Sequence, residues 1–141
     1  MSGNAPHPIQ LEQLFFVKSR VEAIPNHVPT DSKISSPPRN EISLSEVPED
    51  KGLFSFTMKT TVNQELDKAS PYFVEMECIA LLRVDDTLSG DEAKRGLTIT
   101  GHSVAYGAIR EAVAWLTGRQ AYGALMLGLS VLTPAPAPKT P

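Results

Sequence analysis

The sequence predicts an α+β fold: a four-stranded antiparallel sheet with a long helix packed on one face. Residues 54–62 and 72–84 alternate between apolar and polar side chains, a period of two that is typical of half-buried strands. They are joined by a short turn near 64–70, so these two strands are expected to pair antiparallel. Residues 101–117 then change to a helical period, which favours one helix layered on a sheet.

The first predicted strand covers residues 9–24, IQLEQLFFVKSRVEAI. Residues 14–17 within it are apolar without a break, so either both faces are covered there or a bulge shifts the alternation. Residues 25–40 carry Pro25, Pro29, Pro37 and Pro38 and predict a Pro-rich crossover loop. Proline removes a backbone donor and fixes φ, so this segment is not expected to form an interior strand.

A short second strand is predicted over residues 41–45, with Ile42 and Leu44 on one face. In the third strand, one side is shared by Phe54, Phe56 and Met58. In the fourth, the side chains expected to face inward are Tyr72, Val74, Met76, Cys78 and Leu82, and those expected to face outward are Phe73, Glu75, Glu77, Ile79, Leu81 and Arg83. A monomer rarely exposes so much apolar surface, so the outward face is expected to bury against another subunit or to bind a partner.

The predicted helix covers residues 101–117, and Gly118 is well placed to end it. Its apolar positions recur at helical spacing: Val104, Ala108, Ile109, Ala112, Val113 and Leu116. Trp115 lies at the rim of this stripe. His102 and Ser103 are interpreted as helix-start residues, because a serine there can accept hydrogen bonds from free backbone amides.

Length and composition indicate a single domain over residues 1–141, with disordered tails at 1–8 and 133–141. The 13 basic and 16 acidic residues give a net charge of −3 without a basic stripe, so nucleic acid is not an expected partner. The lone Cys78 cannot form an internal disulfide, which suits a reducing cytosol. The N-terminus lacks a signal pattern and the apolar run 121–132 is too short to span a bilayer, so a cytoplasmic protein without membrane insertion is expected.

The sequence contains no recognisable catalytic constellation. His7, His27 and His102 have no metal-ligand spacing to one another or to Cys78, and no Gly-rich phosphate motif follows a strand. We therefore expect no catalytic residue, no metal and no cofactor, and a protein that is not an enzyme. Two alternatives stay open: a small enzyme using His102 or the Glu75–Glu77 pair, and a structural or adaptor oligomer.

Taken in order, several stretches resemble the SecB family of protein-export chaperones. They are IQLEQLFFVKSRVEAIPNHVP at 9–29, RNEISLS at 39–45, FSFTMKTTV at 54–62, YFVEMECIALLRV at 72–84 and IREAVAWLTGRQAYGALMLGL at 109–129. The last stretch is similar to the family's helix, including the Arg110–Glu111 pair. No single motif is highly specific, but the ordered set covers most of residues 9–130.

The resemblance implies a holdase that works without ATP or metal and assembles as a dimer of dimers. Such a chaperone binds unfolded polypeptides in long apolar grooves and passes them to the translocase motor SecA. By position, the client-binding residues would be Ile34, Ile42, Leu44, Tyr122, Leu125, Leu127 and Leu129. The partner-binding residues on the outer sheet face would be Glu22, Phe73 and Glu75. Trp115 and the helix stripe would pack subunits together or cover the sheet.

The sequence departs from the family after the Leu-rich segment, where residues 130–132 run into TPAPAPKTP instead of a last helix. Lys18 and Arg20 beside Glu22 also dilute the acidic face. These departures weaken the expectation of SecA as a partner. They leave room for a specialised relative, such as a chaperone dedicated to a toxin–antitoxin pair or a phage-encoded holdase.

Overall fold

The computed structural model describes residues 7–28 and 37–130. The strands are β1 Ile9–Ala23, β2 Arg39–Glu46, β3 Leu53–Val62 and β4 Tyr72–Val84, followed by the helix α1 Gly90–Thr117. All neighbouring strands are antiparallel, in the order β1-β4-β3-β2. The predicted fold class, a four-stranded antiparallel sheet with one long helix on one face, is therefore confirmed. Ile34 and most of both predicted tails lie outside the described residues.

Strand β1 contains bulges, which is one of the two explanations that the sequence left open for the unbroken apolar run at residues 14–17. Its register against β4 shifts twice, between Leu11 and Gln13 and between Phe16 and Lys18. Each extra residue moves the following side chains to the other face of the sheet. The second shift therefore places Phe16 on the helix side and Lys18 on the outer side, although a regular strand would place both on the same side.

The helix side of the sheet carries the core. Directly paired residues of antiparallel strands share a face, so the pairs Phe56–Ala80 and Met58–Cys78 place all four side chains under α1. The fully buried apolar side chains of the hairpin are Phe56, Met58, Val74, Met76, Cys78, Ala80 and Leu82, and Tyr72 is 1% exposed. The predicted inward face is thus the core face.

The helix is longer than the periodicity predicts, because it begins at Gly90 rather than at 101. Two features hide its first half in the sequence: Gly96, and the run Thr98–Thr100 with its β-branched side chains, which lower helix propensity. The interpretation of His102 and Ser103 as helix-start residues is wrong. The N-cap is Ser89, and His102 is buried in the middle of the helix.

Gly101 sets the distance between α1 and the sheet. A Cβ atom there would lie 2.5 Å from Cγ of Phe56, whose ring is completely buried. The buried stripe of the helix therefore runs through small residues, Gly101 and Ala105, as well as through Ile109 and Val113. This rotates it away from the predicted stripe, whose members Ala108 and Ala112 are only half-buried.

A Gly101→Ala variant is expected to be less stable than the parent by about 1–3 kcal/mol, as for other overpacked cores. The closely packed Phe56 ring has no free volume into which to move, so the clash outweighs the better helix propensity of alanine. Gly107→Ala is the matched control on the same helix, because a Cβ atom there meets nothing within 4 Å. It should gain about 0.5–1 kcal/mol. Denaturant midpoints of the two variants check the sign of each change; equal gains would contradict this packing.

Candidate functional site

The chain turns back at the end of α1 around the side chain of Tyr72. The Tyr72 hydroxyl donates to the carbonyl of Gly123 at 2.6 Å and lies 3.3 Å from the carbonyl of Thr117. It also accepts from the backbone amide of Tyr122 at 3.0 Å. Gly123 has φ +80°, the left-handed region that glycine adopts without strain. This junction reverses the chain and sends it back along the helix.

We call residues 124–130 the strap. It forms no helix and pairs with no strand in the part of the chain that the structure describes. Side chains of α1 hold it instead. Thr117 Oγ1 accepts from the amide of Leu125 at 2.7 Å, and Arg110 Nε donates to the carbonyl of Leu127 at 2.8 Å. The Tyr106 hydroxyl donates to the carbonyl of Gly128 at 2.7 Å, and Ser130 Oγ lies 3.2 Å from His102 Nε2.

The strap alternates like a strand over residues 125–127 only, because Leu129, which regular alternation would turn inward, is exposed. Leu127 is 5% exposed and belongs to the core, and Leu125 packs against the core. Met126 and Leu129 point away, with exposures of 67% and 83%. The strap thus presents an apolar side to the protein and an apolar side to solvent.

The strap and β2 lie on the same side of α1. Phe16 and Ser19 of β1 line a groove against the other flank of the helix, with Ala108, Ala112 and Trp115. The strap is bonded to the flank that carries Tyr106 and Arg110, away from β1. Since β2 is the opposite edge of the sheet, the strap lies on the β2 side.

The predicted client-binding residues fall into three groups. Ile42, 39% exposed, and half-buried Leu44 lie on the helix side of β2, paired with Met58 and Phe56. Tyr122 is at the junction, where its hydroxyl donates to the carbonyl of Ile24 at 2.7 Å. The strap carries the remaining three described residues: Leu125, Leu127 and Leu129. We call Ile42, Leu44 and the strap the apolar margin. The structure brings these residues to one side of the helix; their role stays a prediction.

The predicted partner-binding residues lie on the outer sheet face, as expected, but they are engaged within the chain. Glu22 accepts a hydrogen bond from Arg20 at 2.7 Å. Phe73 is buried, with the Arg20 guanidinium 5.0 Å from its ring centroid. Glu75 is bonded to Lys18, which holds the pKa of its carboxyl below its ordinary value, and Lys59 lies 3.8 Å from it. The acidic character of this face is therefore largely neutralised.

His102 lines a cleft of about 400 Å³ between α1 and the end of the strap, with Ile99, Ser103, Tyr106, Arg110 and Leu129. Its ring stacks on Tyr106 with centroids 5.9 Å apart. Burial lowers the pKa of His102 from its ordinary value of 6.5, so the imidazole is neutral at pH 7. None of the described residues that line this cleft is a carboxylate, and Arg110 adds a positive charge that disfavours a second one.

We expect acidification to weaken the fold through His102. The pKa of His102 is lower in the folded than in the unfolded chain, so its contribution is complete above about pH 6.5 and is lost as the pH falls through the folded-state value. The free energy of unfolding should fall between about pH 7 and pH 5, where ordinary carboxyl groups stay ionised. A His102→Gln variant should lose this part of the pH dependence. Parallel slopes for parent and variant would contradict the assignment.

Residues 7–28 and 37–130 contain no cluster of three or more His, Cys, Asp or Glu side chains suited to a metal ion. Within the same residues, no helix has the length and apolarity needed to cross a membrane. Cys78 is fully buried, and burial raises its pKa to about 11, so its thiol is poorly suited to nucleophilic chemistry.

Two solved structures are similar to the chain over most of its length. One is the SecB-like chaperone Rv1957 of Mycobacterium tuberculosis, in complex with a ChAD peptide from the antitoxin HigA1 (Rv1956). It has a TM-score of 0.64 at 18% identity, covering 87% of this chain and 91% of that one. The fold is SecB-like. The sequence-based resemblance is confirmed at this level.

The other structure is a protein of unknown function from Streptococcus agalactiae, with a TM-score of 0.55 at 10% identity. The match covers 89% of this chain and 100% of that one. No protein-family model matches the sequence, and no curated protein matches it. At these identities, the comparisons show the SecB-like architecture and leave the function to be argued from this chain's own residues.

Sequence reasoning missed the row of helix side chains that holds the strap. His102, Tyr106 and Arg110 are four residues apart and so lie on one flank of α1, with Thr117 a further two turns along. Their spacing alone could have placed them on one face. Their hydrogen bonds could not have been predicted, because they depend on the path of the chain after Gly123.

Proposed function

We propose that the protein is a cytoplasmic holdase chaperone that binds extended, unfolded polypeptides at the apolar margin. One observation carries this proposal. The apolar side chains of β2 and the strap lie on one flank of α1, whose polar side chains make hydrogen bonds to main-chain atoms of the strap. Apolar contact and main-chain hydrogen bonds both work without reading a client sequence. The SecB-like fold supports the same function.

Binding can be tested with a reduced and carboxymethylated protein that stays unfolded, compared with its native disulfide-bonded form. The proposal expects the chain to bind the unfolded form and to delay its aggregation without ATP. The native form should not compete, because its apolar segments are inside. Equal binding of both forms, or of neither, would favour the adaptor alternative.

Of the two client classes, we propose a dedicated antitoxin-like client rather than general export through SecA. The similar Mycobacterium tuberculosis chaperone is in complex with an antitoxin peptide. The outer-face residues assigned to SecA docking are paired with Lys18 and Arg20 or buried. A dedicated chaperone should bind one partner much more tightly than a panel of unfolded chains. A weak SecA interaction that is independent of Glu75 would agree with this choice.

We also propose that the protein assembles with further copies of itself through β1. Among the described residues, β1 pairs with β4 on one edge and has no strand on its other edge. Phe16 and Trp115, which is 59% exposed, line an apolar groove beside β1. Sedimentation at micromolar concentration should give a mass above the 15.3 kDa of one chain. Trp115→Asp should shift it toward the monomer. Leu66→Asp, at an exposed turn position, is the control that should not; a monomeric parent would refute the assembly.

A further inference from the structure

The strap is bound in the way that an extended peptide binds a protein groove. It makes no strand pairing among the described residues, and Thr117, Arg110 and Tyr106 bond three of its main-chain groups. These bonds reach the amide of Leu125 and the carbonyls of Leu127 and Gly128, so they do not depend on which side chains the strap carries. A client offers main-chain donors and acceptors of the same kind.

The side chains of the strap show what the groove prefers. Leu125 and Leu127, two positions apart, point to the core, whereas Met126 and Leu129 stay in solvent. In an extended chain, alternate residues share a side, so the groove accepts apolar residues at i and i+2 and tolerates any residue between them. A client that offers such a pair could make the contacts that the strap makes.

The strap is joined to the helix by the short junction at Tyr122 and Gly123, so it competes with any client at high effective concentration. A competitor of this kind raises the apparent dissociation constant of the client to the intrinsic value divided by the fraction of time that the strap is open. Among the described residues, Ser130 contacts His102 at 3.2 Å, beside the cleft lined by Ile99 and Leu129. The strap also has an exposed apolar surface at Met126 and Leu129.

We propose that the strap is an internal pseudo-client, and that an extended polypeptide with apolar residues at i and i+2 displaces it from the row Thr117, Arg110 and Tyr106. This inference rests on the proposed function and adds its regulation. The closed strap keeps Leu125 and Leu127 covered when no client is present. An incoming client takes over the same main-chain hydrogen bonds and the same apolar sites.

The first test tethers the strap without changing the helix row. Ser103 and Leu129 line the same cleft and are both exposed, so a Ser103→Cys/Leu129→Cys variant can be bridged with a short bis-maleimide. Cys78 is buried with its pKa raised to about 11, so it should not react in the folded protein. Tethering should weaken binding of the carboxymethylated unfolded protein at least about tenfold, as for a strap that must open in order to bind. The same variant capped with a mono-maleimide is the reference for this comparison, because both samples carry the changes at Ser103 and Leu129 and differ only in the bridge.

The second test releases the strap and supplies it in trans. Leu127→Ser removes its buried anchor and should raise the affinity for the unfolded protein about tenfold if the strap is closed about 90% of the time. A labelled peptide of residues 123–130, GALMLGLS, should bind this variant and compete with the unfolded protein. The same peptide with serine in place of Leu125 and Leu127 should not. Circular dichroism checks that the Leu127→Ser variant is folded. If it is not, the tethering test still decides the proposal, because it keeps Leu127.

The two proposals fail differently. If the parent binds the unfolded protein and tethering leaves the affinity unchanged, the strap is a structural element only and this inference is overturned, while the holdase function stands. If neither the parent nor the released variant binds it, the proposed function fails and the strap inference fails with it. Tighter binding after release and weaker binding after tethering together establish the pseudo-client.

Discussion

Replacing Tyr72 by phenylalanine is expected to lower the free energy of unfolding by about 2–4 kcal/mol, although the ring is kept and no cavity forms. The hydroxyl serves the carbonyls of Gly123 and Thr117 and the amide of Tyr122, in a residue that is 1% exposed. Removing it leaves the carbonyl of Gly123 and the amide of Tyr122 without their partner, whereas the carbonyl of Thr117 keeps its hydrogen bond from the Gln120 amide at 2.9 Å. Each such orphaned group costs about 1–3 kcal/mol. Urea denaturation of parent and variant measures the difference.

The matched control is Tyr122→Phe. Its hydroxyl makes one hydrogen bond, to the carbonyl of Ile24, and its side chain is partly exposed, so water can replace the lost partner. Its effect should stay within about 0.5–1.5 kcal/mol, the ordinary net value of one hydrogen bond. If Tyr72→Phe were no worse than Tyr122→Phe, the reversal of the chain after α1 would not depend on the Tyr72 hydroxyl. The strap would then need another anchor.

The strands could be predicted closely because their signal is local. Alternation over residues 54–62 and 72–84 reports directly which face of a strand meets the core, and the observed strands Leu53–Val62 and Tyr72–Val84 agree. The bulges in β1 were only one of two alternatives, since an unbroken apolar run does not show where the register shifts. The first half of α1 was missed because Gly96 and three β-branched residues obscure a helix that is held by the sheet beneath it.

The candidate site was less accessible to sequence reasoning. The resemblance alone assigned Ile42, Leu44 and the Leu-rich segment to a client-binding groove, without showing on which side of the helix they lie. In the row that holds the strap, Arg110 and Tyr106 donate hydrogen bonds to main-chain carbonyls that lie 17 and 22 residues further along the chain, respectively. Such bonds follow from tertiary geometry. On the outer face, the sequence already indicates that Lys18 and Arg20 dilute the acidic character beside Glu22. Only the register of β1 against β4 shows that Lys18 lies next to Glu75.

The largest expected effect on client binding is at Ile42. This side chain lies on the helix side of the edge strand β2 and is 39% exposed. A bound client that covers the exposed part would gain about 0.6–1.2 kcal/mol, two fifths of the value for full burial of an isoleucine. Ile42→Asp removes that gain and also places a charge in the interface, which the client would have to desolvate. The dissociation constant for an unfolded client should therefore rise about tenfold or more.

Ser43→Asp is the matched control, because Ser43 is the next residue of the same exposed strand and faces the outer side of the sheet with Thr57. It adds the same charge to β2, so a general electrostatic effect would weaken binding in both variants equally. The apolar margin predicts weak binding for Ile42→Asp alone, with denaturant midpoints of both variants close to the parent. Leu127→Ala should behave oppositely: its side chain is buried, so truncation should lower stability, by at most about 1.4 kcal/mol if the strap is closed about 90% of the time, because the strap can then open. A large loss of stability at Ile42 with unchanged affinity would assign β2 to the core and favour the adaptor alternative.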